Sequence, residues 1–207
     1  MSSLLFYTDD NEATVVTDTL VVTPSEEFLG HANKAVSVDR LRLITAGTGV
    51  ADVFINWISF VNDESAALDV DSLNDEATKR LQSIWGEVQR NTPAFADQTA
   101  TIYLFGLSND SGHIHGYVYR STSKFASARI PQGLAMKPAL TVEELGTVEY
   151  WDFPDCSKEI IRLQAAIEGA KPKGQRVLIG GNANLIRLTK DGSEFMTLGE
   201  LEIPMPA

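Results

Sequence analysis

Three residues near the start of the chain have the types and the spacing that one kind of hydrolytic chemistry needs. Ser2 directly follows Met1, Asp18 lies 16 positions after Ser2, and Lys34 lies another 16 positions further on. Removal of Met1 leaves the hydroxyl of Ser2 beside a free α-amine, a group whose pKa is ordinarily about 7.7–8.0. Such an amine accepts the hydroxyl proton near neutral pH, and the hydroxyl oxygen then attacks an acyl carbon to form an ester intermediate.

Charges and a backbone donor complete the candidate site. An ammonium close to Ser2 lowers the pKa of its hydroxyl, which is the role expected of Lys34. A carboxylate must hold that ammonium because a buried unpaired charge is costly, and Asp18 lies at the end of a predicted strand where it can do so. The N–H of Gly47 is a candidate donor to the oxyanion of the tetrahedral intermediate, although a strand-to-helix turn also favours glycine. We therefore predict that the catalytic residues are Ser2, Asp18, Lys34 and Gly47.

Short strands and amphipathic helices position these residues. Apolar residues recur at a helical period from Val50 to Val61, and a second helix is predicted to begin at the N-cap Ser72 and to end before Pro93. A third helix is predicted from the N-cap Ser157 to Gly169. The remaining pattern predicts strands at 3–8, 13–18, 21–23, 36–38, 41–46, 100–105, 114–119, 125–130, 176–179 and 184–189, a loop at 25–33 and irregular chain at 131–154.

The order of the predicted elements indicates the fold class. Strands are followed by two helices, further strands, one helix and final strands, which is not the strict alternation of a doubly wound parallel sheet. This order predicts an α+β fold in which two antiparallel sheets lie between helix layers, a four-layer αββα sandwich. The chain has 207 residues, enough for a substantial core, and the simplest interpretation is a single domain over residues 1–207.

These residues and this architecture resemble the proteasome β-subunit family of N-terminal nucleophile (Ntn) hydrolases, in its bacterial form without a propeptide. Members place the nucleophile on the first strand, an Asp at the end of the second and a Lys one loop later. Ser2, Asp18 and Lys34 match these spacings without gaps. The strand Leu41–Gly47 and the Gly180–Gly181 pair resemble two further elements of the family. The resemblance is good over residues 2–64, weaker over 99–120 and 156–192, and poor over 121–155.

The resemblance implies a peptidase subunit that assembles into rings and hydrolyses peptide or unfolded-protein substrates through Ser2 without a cofactor. An ATPase partner is possible, but no residue of the sequence indicates one. A second interpretation is a catalytically inactive structural or assembly subunit of the same fold. It is favoured because the nucleophile is Ser rather than Thr, and because Arg176 and Ile179 stand where the family has a supporting Asp-x-x-Ser. A third interpretation, a small-amide acylase with a closed monomeric pocket, shares the Ser2 chemistry and is separated from the first by its oligomeric state.

Charge and composition argue against several classes of partner. The net charge of −11 disfavours binding to nucleic acid or to anionic membranes, and no apolar run is long enough to span a bilayer. Cys156 is the only cysteine and the N-terminus lacks a signal-peptide pattern, so we predict a cytoplasmic protein. His113 and His115 share a strand face, but no cluster of acidic or Cys ligands accompanies them, and we predict neither a metal nor a cofactor.

Overall fold

The computed structural model describes residues 2–203, and its strands and helices give an α+β fold. The twelve strands are β1 (Leu4–Thr8), β2 (Glu12–Asp18), β3 (Leu20–Val22), β4 (Phe28–His31), β5 (Ala35–Val38), β6 (Leu43–Gly49), β7 (Ala100–Leu107), β8 (Ile114–Arg120), β9 (Ser127–Arg129), β10 (Gly133–Lys137), β11 (Asn182–Thr189) and β12 (Gly192–Glu200). The four helices are α1 (Ala51–Ser59), continued by a π-helical turn at Phe60–Glu64, α2 (Val70–Asn91), α3 (Val142–Leu145) and α4 (Ser157–Gly169). Within residues 2–203 no helix has both the length and the apolar character needed to cross a membrane.

Two five-stranded antiparallel sheets carry most of the strands. The first sheet has the order β10-β1-β2-β11-β12, and the second has the order β5-β6-β7-β8-β9. Strands β3 and β4 form a separate two-stranded sheet. In the first sheet, Leu4 of β1 pairs with Thr17 of β2 on one side and with Lys137 of β10 on the other. This register determines which side chains surround the start of β1.

Side chains alternate between the two faces of each strand, and three apolar cores result from that alternation. The first core lies between α1, α2 and one face of the second sheet. The second core lies between the two sheets, and the third lies between the other face of the first sheet and α4. Representative residues are Trp57, Leu81 and Ile102 in the first core, Leu4, Phe6 and Phe105 in the second, and Leu5, Val16 and Ile160 in the third.

Several segments differ from the sequence-based prediction. The loop predicted at 25–33 contains β4, which pairs with β3, and the irregular stretch predicted at 131–154 contains β10 and α3. The strand predicted at 176–179 is wrong, because that segment is extended chain without a strand partner. Strand β10 depends on pairing with β1, which is distant in sequence, so the local pattern did not reveal it.

The predicted buried face of the second helix is confirmed, but two predicted N-caps are wrong. Asp69, not Ser72, caps α2: its carboxylate accepts the Ser72 N–H over 2.9 Å, while Ser72 Oγ accepts the Asp69 N–H over 3.1 Å. This reciprocal capping box starts the helix before Ser72. Cys156 occupies the N-cap position of α4, and Ser157 is a buried residue of its first turn. The residues predicted to be buried in α2 are all buried: Leu73, Ala77, Leu81, Ile84 and Val88.

Candidate functional site

The start of β1 is held by the carboxylate of Asp18 at the end of β2. Ser3 lies opposite Asp18, because Leu4 pairs with Thr17 one step further along the two strands. The backbone N–H of Ser3 donates a hydrogen bond to Asp18 Oδ1 over 2.9 Å, and the N–H of Asp18 donates to Ser3 O over 3.4 Å. The backbone immediately after the candidate nucleophile is therefore fixed to this carboxylate.

Lys34 binds the same carboxylate oxygen. Its Nζ lies 2.8 Å from Asp18 Oδ1, and both side chains are buried, at 10% and 0% exposure. The second oxygen, Oδ2, accepts the N–H of Gly180 over 3.1 Å and that of Leu20 over 3.3 Å. These donors compensate the loss of water around the buried charge. Burial lowers the pKa of Lys34, and the neighbouring charge of Asp18 opposes that shift.

Strand alternation assigns the side chain of Ser2, two residues before Leu4, to the face that looks into the space between the sheets. Ser3 Oγ donates to Gln164 Oε1 of α4 over 2.6 Å, so Ser3 points to the opposite side. Leu4 packs in the core between the sheets, and side chains alternate along a strand, so Ser2 shares the face of Leu4. Ser2 is 7% exposed, and Met1, whose removal the predicted chemistry needs, lies outside the described residues.

The backbone donor of Gly47 is already engaged. Its N–H donates to the carbonyl oxygen of Lys34 over 2.9 Å, so the predicted oxyanion donor is occupied in this structure. A Cβ at Gly47 would lie 2.6–2.8 Å from atoms of the Phe54 side chain in α1. Packing against α1 therefore requires glycine at this position, independently of any role in catalysis.

A second lysine lies beside the candidate site, and the sequence did not single it out. Lys137 of β10 pairs with Leu4, on the side of β1 opposite to β2. Its Nζ is 3.1 Å from Thr48 Oγ1 and 3.1 Å from Thr101 Oγ1, two hydroxyls of the second sheet. Burial, reinforced by the charge of Arg120, lowers the pKa of Lys137. The sequence signal was a lysine that ends the short apolar run 134–136, inside a stretch whose Gly and Pro residues indicated irregular chain.

The two lysines bridge the sheets on either side of β1. Lys34, just before β5 of the second sheet, contacts Asp18 of β2, and Lys137 of β10 contacts Thr48 of β6. Because β1 lies between β2 and β10, the amine of Lys34, bound to Asp18 of β2, and the amine of Lys137 of β10 lie on either side of β1. Positive charge on both flanks favours negative charge between them, whether on an ionised hydroxyl or on a developing oxyanion.

The Gly180–Gly181 segment packs against the chain that follows Asp18. The carbonyl of Gly180 accepts the N–H groups of Thr19 and Leu20 over 3.2 and 3.1 Å. Gly181 has a φ of 74°, and a Cβ there would lie 2.4 Å from Thr19 Oγ1. Glycine is therefore required at position 181, whereas a Cβ at Gly180 would make an ordinary contact with Leu20 at 3.4 Å.

The segment that precedes this glycine pair has a different charge from the one the resemblance leads us to expect. Arg176 stands in place of an acid, and its guanidinium lies 2.7 Å from Glu26 Oε2. Glu26 also accepts the N–H of Gly174 over 2.6 Å. This segment therefore carries an ion pair to the 23–27 loop and not a carboxylate that supports the terminal amine.

The two histidines of the predicted strand do not share a ligand position. His115 Nδ1 contacts Asp71 Oδ1 over 2.8 Å, whereas His113 precedes β8 and is exposed. Over residues 2–203, no group of three or more His, Cys, Asp and Glu side chains is arranged to hold a metal ion.

Comparison with known proteins gives a likeness of fold. No family model matches the sequence, and no curated protein matches it. The structure is similar to that of a mutant of Anbu from Hyphomicrobium sp. strain MC1, with a TM-score of 0.63 and 7% sequence identity. The match covers 96% of this chain and 87% of that chain. At this sequence identity the likeness shows a similar fold.

Proposed function

We propose that this protein is a proteasome-like N-terminal nucleophile peptidase subunit that hydrolyses peptide bonds through Ser2 after removal of Met1. One observation carries the proposal: a single oxygen, Asp18 Oδ1, accepts both the N–H of Ser3 and the ammonium of Lys34. The strand that bears the nucleophile is thereby tied to the cation that would activate it. The likeness of fold to Anbu supports the same conclusion.

In the proposed reaction, the α-amine of Ser2 takes the proton of its own hydroxyl, through one water molecule, as Oγ attacks the peptide carbonyl. The charge of Lys34 stabilises the ionising oxygen. Collapse of the tetrahedral intermediate breaks the C–N bond, and the proton passes to the departing amine. Water then hydrolyses the acyl ester with the same α-amine as base, which releases a carboxylic acid and restores Ser2.

Two groups are available to stabilise the oxyanion. The N–H of Gly47 serves in the proposed mechanism once it exchanges its hydrogen bond to the Lys34 carbonyl for one to the substrate. Lys137 supplies a cation on the other flank of β1, held by the Thr48 hydroxyl on the residue after Gly47. A positioned donor of this kind contributes about 10²–10³-fold in rate where it has been removed from other enzymes.

Assembly into rings is part of the proposal. We propose one domain over residues 1–207 with the αββα layer order, which the sequence of the three cores supports. Exposed apolar side chains on β4 and β12 support self-association, with a second copy of this chain as their partner. These side chains are 54–63% exposed: Phe28, Leu29, Phe195 and Met196. A ring would enclose peptide or unfolded-protein substrates in a cytoplasmic chamber. Whether an ATPase acts as a partner is left open. The net charge of −11 supports an assembly that binds neither nucleic acid nor membrane.

A specific observation favours the alternative of a catalytically inactive subunit of the same fold. The engaged N–H of Gly47 and the Arg176–Glu26 ion pair are arrangements that maintain structure without serving a reaction. In that alternative the Lys34–Asp18 pair joins the two sheets, and the chain contributes to an assembly whose chemistry is carried out elsewhere.

The test is the intact mass of the purified native protein before and after exposure to a peptide epoxyketone or β-lactone. We expect loss of Met1 and one adduct, located at Ser2 by peptide mapping. The control variant Ser2→Ala should lose the adduct, and Ser3→Ala should keep it, since Ser3 points to α4. Retained Met1 without an adduct would contradict the peptidase proposal and support the inactive subunit. A monomer with an adduct would instead favour the small-amide acylase.

A further inference from the structure

A Ser–His–Asp chain of hydrogen bonds lies near the turn between β7 and β8, outside the candidate site. Ser111 Oγ is 3.1 Å from His115 Nε2, and His115 Nδ1 is 2.8 Å from Asp71 Oδ1. Ser111 is exposed in the turn, His115 belongs to β8, and Asp71 lies in the first turn of α2. A hydroxyl, an imidazole and a carboxylate in this order are the parts of an activated nucleophile.

The hydrogen bonds determine which nitrogen of the imidazole is protonated. A carboxylate only accepts hydrogen bonds. Burial disfavours the ionised form of Asp71, but its hydrogen-bond donors outweigh burial and lower its pKa. Nδ1 of His115 is therefore the donor to Asp71, which leaves Nε2 of the neutral ring to accept the proton of Ser111.

Further residues hold the carboxylate in place. Tyr117 OH donates to Asp71 Oδ1 over 2.6 Å, and Arg129 donates to Tyr117 OH over 2.9 Å. Burial, followed by the hydrogen bond to Asp71, raises the pKa of Tyr117 to about 12, so the phenol stays protonated as a donor. The side chains of His115 and Asp71 are 19% and 31% exposed, so the relay is partly shielded while Ser111 remains accessible.

This cluster and Ser2 lie at opposite ends of β1. At the start of β8, the N–H of Ile114 donates to the carbonyl of Asp10, in the turn after β1, over 3.0 Å. Ser2 precedes the first residue of β1, at the other end of the strand. The two sites therefore share no group, and neither depends on the other.

We propose that Ser111, His115 and Asp71 form a second nucleophilic site, one that accepts the acyl group of activated esters. The substrate class follows from the backbone of the turn. The N–H of Ser111 donates to Ser108 Oγ over 3.2 Å, and the N–H of Gly112 donates to Ser108 O over 2.9 Å. Because these amides are engaged, they do not provide a preformed oxyanion hole. Aryl esters, whose phenolate departs readily, depend least on that stabilisation.

The reaction transfers the acyl group and balances without a co-reactant other than water. Ser111 Oγ attacks the ester carbonyl as its proton passes to His115 Nε2, and the phenolate that leaves takes this proton to become a phenol. The acyl group is then an ester on Ser111. Water attacks that ester while His115 accepts a proton and returns it to Ser111 Oγ, which releases a carboxylic acid.

The test uses the full-length protein and a small alkyl fluorophosphonate, which forms an O–P bond to an activated serine with loss of fluoride. Peptide mapping locates the adduct, so any modification of Ser2 is counted separately and the two proposals fail independently. We expect an adduct on Ser111 and turnover of p-nitrophenyl acetate. His115→Ala should slow both by about 10²-fold or more, the usual contribution of a general base.

Matched variants separate the relay from the fold. Asp71→Asn keeps the size of the side chain but removes the negative charge that stabilises the imidazolium formed on His115 during the attack, so labelling of Ser111 should fall as in His115→Ala. His113→Ala removes a neighbouring exposed imidazole whose side chain has no part in the relay, and labelling should be unchanged. Circular dichroism establishes that each variant is folded. Absence of a Ser111 adduct in the folded wild-type protein, or labelling that is unaffected by both His115→Ala and Asp71→Asn, would overturn the proposal.

Discussion

The ammonium of Lys34 and the carboxylate of Asp18 lie 2.8 Å apart in a buried position, although the two residues are 16 positions apart in the chain. Asp18 ends a strand of the first sheet and Lys34 precedes a strand of the second sheet. The ion pair therefore joins the sheets at the end where β1 begins. Its carboxylate also fixes the backbone of Ser3, so the structural and proposed catalytic roles of the pair are inseparable.

Lys34→Met should destabilise the protein strongly, because it leaves the charge of Asp18 buried without a cation. We expect a loss of about 3–5 kcal/mol in the free energy of unfolding, measured by urea denaturation. The double variant Asp18→Asn/Lys34→Met should recover much of this loss because it buries no charge. The exposed pair Arg162–Glu202 provides the control, and Arg162→Met should cost at most about 1 kcal/mol. An equal loss of unfolding free energy in Lys34→Met and in Arg162→Met would contradict a buried, tightly coupled Lys34–Asp18 pair.

Ser2→Ala and Ser3→Ala should separate chemistry from stability. Ser2→Ala should abolish modification by the epoxyketone and change stability little. Ser3→Ala should keep the modification but lose about 1–3 kcal/mol, because buried Gln164 loses a hydrogen-bond partner. The two measurements are adduct mass and thermal unfolding on the same samples. A reversal, with Ser3→Ala losing the adduct, would mean that the register at the start of β1 is not the one described.

Gly47→Ala should destabilise the protein by overpacking. A Cβ would lie 2.6 Å from the Phe54 ring, and extra volume in a packed core costs about 1–3 kcal/mol. Gly86→Ala in α2 is the control, since the nearest atom to its Cβ is the end of the Arg90 side chain at 3.4 Å. That variant should gain about 0.5–1 kcal/mol from helix propensity. Equal stability of the two variants, measured by thermal unfolding, would argue against close packing of Gly47 on α1.

Lys137→Met should change how stability depends on pH. The pKa of Lys137 in the folded protein is below its usual value of 10.5, so the unfolded chain binds more protons between those two pKa values. The free energy of unfolding of the wild-type protein therefore rises with pH through that window. The variant lacks this contribution, and the stability difference, variant minus wild type, should decrease as pH rises toward 10.5. Exposed Lys79→Met is the control and should leave the pH slope unchanged.

Much of the fold was readable because repeated local patterns encode it. The apolar positions of α2, from Leu73 to Val88, recur at the helical period, and each is buried. The cap at Ser72 was misassigned because Asp69, Asp71 and Ser72 compete for one helix start and the local sequence does not rank them. The cap at Ser157 was misassigned because the N-cap is Cys156, which makes no side-chain capping hydrogen bond and so gives no sequence signal. Strand β10 was missed because its order comes from hydrogen bonds to β1, and distant partners leave no periodic signal nearby.

The sequence by itself predicted the pairing of Asp18 with Lys34, because the spacing of these residues resembles that of a known family and a buried ammonium needs a carboxylate. It also determined the hairpin that bears Ser2 and Ser3. Only the tertiary structure decided that Lys137 lies on the other flank of β1, and that Ser111 and His115 meet Asp71 of α2. The physical reason is that such contacts depend on strand register and on how helices and sheets pack, which are long-range properties that no local pattern carries.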